Sequence, residues 1–414
     1  MLIFGIYVEG SALCDHICLK MKRIGNLFER IVDINNLRLA AQNASNKKKH
    51  YSEVVEFFRD SEPLLLKLME SLLNGTYHTS EYIEFERMEG SKVRHIYKLP
   101  FYPDRIVHWA ILQIIEPVFL KSFIQTTYSA IPGRGTHKAL DKVKRDIVKN
   151  PQNKYFVKLD IRKYYASINH DILKRLLARK FKDGRLLNLL YEVIDSLPPD
   201  KGVPIGNYLS QYFGNFYLSY LDHYIKHTLR IKQYYRYMDD LVVVSDTSCG
   251  IRQITKRIIL FIEKVLRLSV KNVWRVQSLV GGLDFVGFRI FHNGVILIRK
   301  TVKDRILERI RIIHKYKERI SRHLYMSFNS FMGWIKYSFA EGFIEKYINP
   351  LRGYLEYFNL INFHRGFVDS LVLENNGDIL IGDLETYKKV AFRFSEAVSL
   401  LRDKLYITYS LVRL

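Results

Sequence analysis

The stretch Tyr234-Tyr235-Arg236-Tyr237-Met238-Asp239-Asp240-Leu241-Val242-Val243-Val244 places two adjacent carboxylates between runs of aromatic and β-branched residues. Such residues favour pleated, half-buried backbone, so the flanks read as two short strands and the acids as part of their connection. In a continuous strand neighbouring side chains point to opposite faces, and the two acids would not serve one site. At the tip of a tight hairpin both can approach one cation. Two like charges beside apolar residues repel strongly, so the pattern makes chemical sense when a divalent metal neutralises them. A solvated Asp-Asp turn is the plain alternative. Leu241 to Val244, directly behind the pair, argue instead for a buried, shaped site.

A second acid sits in a similar setting. Phe156-Val157-Lys158-Leu159-Asp160-Ile161-Arg162-Lys163-Tyr164-Tyr165 reads as another apolar strand ending in a carboxylate. Taken together, Tyr237-Met238-Asp239-Asp240 resembles the YxDD box of reverse transcriptases, and Leu159-Asp160-Ile161 with Tyr164-Tyr165 resembles their first aspartate motif. Asp160 precedes Asp239 by 79 residues, in the order that family has them. Between them, Gly202-Val203-Pro204-Ile205-Gly206-Asn207-Tyr208-Leu209-Ser210-Gln211 resembles the fourth block of the family. Downstream, Gly282-Leu283-Asp284-Phe285-Val286-Gly287-Phe288 resembles the seventh, near the primer grip. Any one of these patterns is weak; the ordered set is specific.

The resemblance covers roughly residues 21–355 and implies an α+β right-hand polymerase fold: fingers, a palm of antiparallel sheet packed on helices, and a helical thumb. On that expectation residues 21–150 are N-terminal helices and fingers, 151–290 the palm, and 291–360 a basic helical thumb. Residues 1–20 read as a foreign preface, with Met21 as the functional start, and 361–414 as a tail or small subdomain.

Periodicity fills in the elements. Leu27 to Leu39 has helical spacing, and Ser52 to Leu73 an amphipathic pattern that Pro63 divides. Tyr82 to Glu86 and Val93 to Pro100 read as a hairpin, and Pro103-Asp104-Arg105 as the cap of a helix running to Phe119. Further helices are expected over Asn169–Lys180, Leu186–Leu197, Asn207–Leu229, Ile251–Leu266 and Val302–Ile320, with Ser330 to Trp334 in a second thumb helix.

The chemistry follows from the resemblance. It implies RNA-directed DNA polymerisation with two Mg²⁺ ions, Mn²⁺ being able to substitute. Asp160 and Asp239 would be the bridging ligands, Asp240 would assist, and the carbonyl of Ile161 would be a further ligand. Mg²⁺ prefers hard carboxylate oxygens and uses few of them, leaving room for phosphates and water. The hairpin resembles the family's fingertip, whose Arg94, and less strongly Lys92 and Lys98, would reach the incoming triphosphate; a charged exposed strand face is the alternative. Tyr165 stands where the family stacks an aromatic below the sugar to exclude a 2′-hydroxyl, and Tyr164 competes for that role. Ile205, Gly206 and Gln211 of the fourth block would approach the nucleotide. Ala130-Ile131-Pro132-Gly133-Arg134-Gly135-Thr136-His137 resembles the second block, with Arg134 as a forked cation for a nucleic-acid backbone. Gly287, and Arg299, Lys300, Lys303 and Arg311 in the basic segment, would contact the duplex. Lys271 is near the place of a family lysine that protonates pyrophosphate, but the register around Trp274 leaves that role open.

The fourth block departs from the common Gln-Gly-x-x-x-Ser-Pro pattern: Ile205 replaces Gln and Gln211 replaces Pro. This variant resembles the reverse transcriptases of diversity-generating retroelements, which copy a template RNA with errors at adenines and move by retrohoming. An aliphatic Ile205 cannot hydrogen-bond the sugar or the nascent pair, so positioning is looser. That likeness implies template RNA, a primer–cDNA duplex and deoxynucleoside triphosphates as partners, with a small basic accessory protein. A group II intron or retron-type enzyme is the alternative within the class. From another class, an inactive polymerase fold serving as an RNA-binding scaffold is the rival, against which the three intact acids argue.

Charge and composition agree with a polyanionic partner. The formal net charge is +23. Residues 361–414 hold seven Lys/Arg and seven Asp/Glu, and residues 1–20 carry net −1, so the excess lies around the motifs. Between Arg299 and Arg322 ten Lys/Arg stand against three Asp/Glu, more than a solvated helix needs. The three cysteines, Cys14, Cys18 and Cys249, are too few for a disulfide scaffold and fit a reducing, cytoplasmic setting. No apolar run reaches the roughly 18–20 residues of a membrane span, so no membrane partner is expected.

Overall fold

The computed structural model describes residues 23–89, 92–196, 201–204, 206–271, 273–315 and 322–351. Ile205 and the segments 1–20 and 361–414 lie outside the described residues. The chain divides into two compact units between Gly281 and Gly282.

The first unit opens with helices Phe28–Val32 and Ile34–Ser45. Their apolar spacing is continuous, but Asp33 breaks the helix: its backbone turns to ψ 132° and its carboxylate accepts the amides of Asn35 and Asn36, capping the second helix. The next pattern also splits, into Ser52–Arg59 and Ser61–Leu73. The break falls at Asp60 and not at Pro63, which occupies the first turn of the following helix, where no amide donor is required.

Strands β1 (Ile83–Glu89) and β2 (Lys92–Lys98) form the expected hairpin, with Phe85 opposite Ile96 and Arg87 opposite Arg94. The helix that follows runs Ile106–Ser122 and buries Ile106, Val107, Ala110, Ile111, Ile115 and Phe119. Asp104 does not cap it. Its side chain is wholly buried and accepts Tyr77 Oη at 2.8 Å and the Ser80 amide at 3.1 Å, tying the approach to the hairpin onto the helix start.

The central sheet contains β3 (Tyr155–Asp160), β4 (Tyr234–Tyr237), β5 (Asp240–Ser245) and β6 (Val276–Ser278), all antiparallel, in the order β4-β5-β3-β6. Leu241, Val242, Val243 and Val244 are all buried, as the acid-flanking run led one to expect. Full burial of each such side chain contributes about 1.5–3 kcal/mol. The helix Ser248–Lys264 packs against β3 and β5. The helix Tyr208–His223 is buried almost all round, covering Leu209, Tyr212, Phe213, Phe216, Tyr217, Leu218 and Leu221 together with the polar Asn215 and Asp222, and is therefore a core helix.

The second unit, described to Leu351, starts with β7 (Leu283–Phe285), β8 (Phe288–Ile290) and β9 (Ile296–Ile298), paired in that order. The expected palm boundary at 290 falls inside this sheet, because β8 pairs with β9 beyond it. Helices Lys300–Lys315 and Arg322–Lys336 follow. Ile306, Ile310 and Ile313 form their own core with Leu324, Phe328 and Ile335, with Val302 partly buried against it. Among the described residues no helix is long and apolar enough to cross a membrane.

Candidate active site

The register of β3 on β5 sets Asp160 directly opposite Asp240. Directly paired residues share a face of the sheet, with Cβ atoms about 4.5–5.5 Å apart. Asp239 lies one residue earlier, in the two-residue connection Met238-Asp239 between β4 and β5. All three acids are half-buried. The hairpin expected around them is present, but the acids divide: Asp239 belongs to the turn and Asp240 to the strand.

The turn depends on Met238, which has φ +55°. A non-glycine residue in this region costs about 1–2 kcal/mol. Two contacts hold it there: the Met238 carbonyl accepts Arg236 Nη1 at 3.0 Å, and Met238 Sδ accepts Tyr165 Oη at 3.1 Å.

Charge crowding shows at Asp239. Burial raises its pKa above the ordinary carboxylate value, and the charges of Asp160 and Asp240 raise it further, while a backbone hydrogen bond and Lys271 pull the other way. Two lysines answer the remaining acids. Lys271 Nζ lies 2.6 Å from Asp160 Oδ1, and Lys158 Nζ lies 3.1 Å from Asp240 Oδ2. Asp160 Oδ1 is buried without a hydrogen-bond donor in line, so the Lys271 contact is an ion pair and leaves acceptor capacity. The segment carrying Lys271 runs antiparallel beside the end of β3: Ile161 bridges Val270, and the Lys271 amide donates to the Asp160 carbonyl at 2.9 Å.

This donor set fits a hard divalent cation. It offers three half-buried carboxylates, of which Asp239 is held back from ionising by burial and by its neighbours' charges, and one buried oxygen, Asp160 Oδ1, with unused capacity. Among the described residues no group of three or more His, Cys, Asp and Glu forms a ready cage. Mg²⁺ suits such a sparse set, because substrate phosphates and water complete its shell.

The two neighbouring tyrosines separate clearly. Tyr164 is buried and donates to the Gly214 carbonyl at 2.5 Å, so its ring belongs to the core. Tyr165 is half-buried beside the turn, and burial together with the nearby Asp239 charge raises its phenol pKa. Gly206 has φ +123°, and a Cβ there would stand 2.9 Å from the Tyr97 carbonyl of β2, so the fourth block abuts the hairpin through a glycine-only contact. Gln211 is exposed on the first turns of Tyr208–His223. Arg94 lies in β2. Arg134 donates through Nη1 to the Ile124 carbonyl at 2.6 Å, so this arm braces its own loop.

The other expected nucleic-acid residues lie in the second unit. Gly287 has φ +86°, and a Cβ there would meet the Trp334 ring at 2.3 Å, a close approach that explains the glycine by packing. Arg299 pairs with Asp284 at 3.0 Å. Lys300, Lys303 and Arg311 are exposed on Lys300–Lys315, with Lys303 Nζ 5.8 Å from the centre of the Phe343 ring.

Sequence reasoning missed Lys158, Met238 and Arg236. Lys158 carried a usable signal, since it stands two residues before Asp160 in a strand and shares its face. Arg236 carried one too, as a charge inside an apolar strand. Lys271, whose role the motifs leave open, pairs with Asp160.

Residues 88–273 match the family described as "Reverse transcriptase (RNA-dependent DNA polymerase)". Protein YkfC of Escherichia coli (strain K12) is 26% identical over 170 residues, 38% of this chain and 44% of that protein. Group II intron-encoded protein LtrA of Lactococcus lactis subsp. cremoris is 27% identical over 175 residues, 40% of this chain and 28% of the relative. The chain thus spans less than half the length of either relative. An apo telomerase from Candida tropicalis, truncated from its C-terminal domain, overlaps at a TM-score of 0.40 with 14% identity, covering 54% of this chain and 55% of that one. The mixed helices and antiparallel sheets are consistent with the α+β right-hand polymerase fold expected from the motifs. Residues 88–273 thus read as a reverse transcriptase domain.

Proposed function

We propose that the chain is an RNA-directed DNA polymerase that copies template RNA into cDNA from deoxynucleoside triphosphates on a primer–cDNA duplex. The observation that carries this reading is the constellation at the strand ends: Asp160 opposite Asp240, with Asp239 in the adjoining turn and its pKa raised by burial and by both neighbours. Asp160 and Asp239 would hold Mg²⁺, with Asp240 and the Ile161 carbonyl assisting. When bound, the two ions would make the primer 3′-hydroxyl more acidic and neutralise charge on the departing pyrophosphate. The chain's own residues do the positioning. Tyr165, braced against Met238, would floor the sugar site. Arg94 would meet the triphosphate, and Arg134, Arg299, Lys300, Lys303 and Arg311 the nucleic acid. Primer extension on an RNA template by the full chain, with and without Mg²⁺, tests this. The expected result is metal-dependent cDNA synthesis.

The finer reading is low-fidelity copying of the diversity-generating type, supported by Ile205 and Gln211 in place of the usual Gln and Pro. A second reading, a group II intron-encoded enzyme, is favoured by the likeness to LtrA. Sequencing of the cDNA separates them: errors concentrated at template adenines support the first, and evenly low error the second.

A further inference from the structure

Arg236 lies in β4, two residues before Met238, and its side chain is wholly buried. A guanidinium taken out of water must be fully paired to be tolerated. Nε and Nη2 fork onto Asp222, Nε to Oδ1 at 2.8 Å and Nη2 to Oδ2 at 2.6 Å, and Asp222 is wholly buried as well. Nη1 donates to Asn215 Oδ1 and to the Met238 carbonyl, both at 3.0 Å, while Nη2 reaches the Asn215 carbonyl at 3.3 Å. Asp222 also accepts Tyr234 Oη at 2.7 Å and Thr127 Oγ1 at 3.0 Å. Asn215 is fixed in turn by donating to the Ser129 carbonyl at 2.8 Å.

We propose that Arg236 is a positioning residue for the catalytic turn, held by Asn215 and Asp222 so that the helix Tyr208–His223 acts as a splint for Asp239. The peptide unit is planar, so fixing the Met238 carbonyl fixes the plane that carries the Asp239 amide. Met238 occupies a strained conformation that needs an outside restraint, and Arg236 Nη1 supplies one. A buried ion pair is often no more stabilising than apolar residues of the same volume, so stability alone does not account for it. The same helix anchors Tyr164 through the Gly214 carbonyl, immediately before Asn215. Tyr165, which donates to Met238 Sδ, packs against the same glycine: a Cβ at Gly214 would stand 3.2 Å from its ring. A lysine at 236 would keep the charge opposite Asp222 but not the planar fork that serves Asp222, Asn215 and Met238 together.

The kinetic part of this inference rests on the polymerase reading; the structural part does not. The experiment uses the full chain with Arg236→Lys and Tyr234→Phe. Tyr234→Phe deletes a hydrogen bond of the same buried network without touching the turn. Both variants should lower Tm. Only Arg236→Lys should speed hydrogen–deuterium exchange over residues 238–242 and lower kcat for primer extension about 10²-fold, with KM for the nucleotide little changed. Unchanged exchange at the turn in Arg236→Lys, or equal effects of Tyr234→Phe on exchange and kcat, would overturn the proposal. If Arg236→Lys does not fold, Asn215→Ala, which spares the Asp222 pair, must loosen the same segment. If the unaltered chain extends no primer, the polymerase reading fails, while the exchange result still decides the positioning role.

Discussion

Asp160 and Asp240 face each other as direct cross-strand partners, and each is met by a lysine, Lys271 for Asp160 and Lys158 for Asp240. Like charges in that position destabilise an antiparallel pair. The lysines therefore keep the metal-free fold tolerable, and a divalent cation would have to share the carboxylates with them. At Asp239, burial first and then the charges of Asp160 and Asp240 raise the pKa.

A pH dependence follows. Folded Asp239 holds its proton more tightly than the unfolded chain does. Its contribution to stability is therefore present below the ordinary carboxylate pKa and lost as pH rises through the raised folded value. In EDTA, the urea midpoint of wild type relative to Asp239→Asn should fall between pH 3 and pH 8. Mg²⁺ should reverse the deficit, by about 1.4 kcal/mol at ten times its Kd. A wild-type-minus-variant difference that stays flat with pH would contradict the assignment.

Tyr165→Ala should admit ribonucleotides, because the ring braced on Met238 would otherwise fill the space of a 2′-hydroxyl. The ratio of kcat/KM for a ribo- to a deoxynucleotide on one template should rise by about tenfold or more, equivalent to ~1.4 kcal/mol. Tyr164→Phe should leave that ratio alone and cost about 1 kcal/mol of stability through the lost Gly214 bond.

Gly287→Ala should destabilise the second unit by about 2–4 kcal/mol, from positive φ and from collision with Trp334. Trp334→Leu in the same chain should recover part of the loss in thermal unfolding. A Gly287→Ala protein of unchanged Tm but weakened duplex binding would instead make the glycine a nucleic-acid contact.

Ile205→Gln should lower errors at template adenines. A donor and acceptor restored there can reward a correct pair with about 0.5–1.5 kcal/mol, roughly 2- to 10-fold in discrimination. Sequencing cDNA from one adenine-rich template copied by both proteins measures it. An equal or higher adenine error rate would remove Ile205 from the mechanism.

The acids and their strands were legible because strand alternation and the apolar run behind Asp240 are local signals. The split between Asp239 in the turn and Asp240 in the strand was not, because it depends on Met238 adopting positive φ under restraint from Arg236 and Tyr165. Helix boundaries failed where a side chain outweighed periodicity: Asp33 capped a helix that the apolar spacing carried through, and Asp104 went to Tyr77 and Ser80 instead of capping. Gly287 illustrates the opposite limit. Its motif suggested a ligand contact, and only the approach of Trp334, 47 positions later, supplies a packing reason.

The central claim rests on the carboxylates at the ends of β3 and β5. Its most direct test is RNA-templated primer extension in Mg²⁺ by wild type, Asp160→Asn and Asp239→Asn, each checked for native circular dichroism and RNA binding. Wild type should synthesise cDNA, and each variant should lose at least about 10²-fold in kcat, the scale of removing one charge-stabilising group, while folding and binding RNA normally. Extension at the wild-type rate by either well-folded variant would contradict the account.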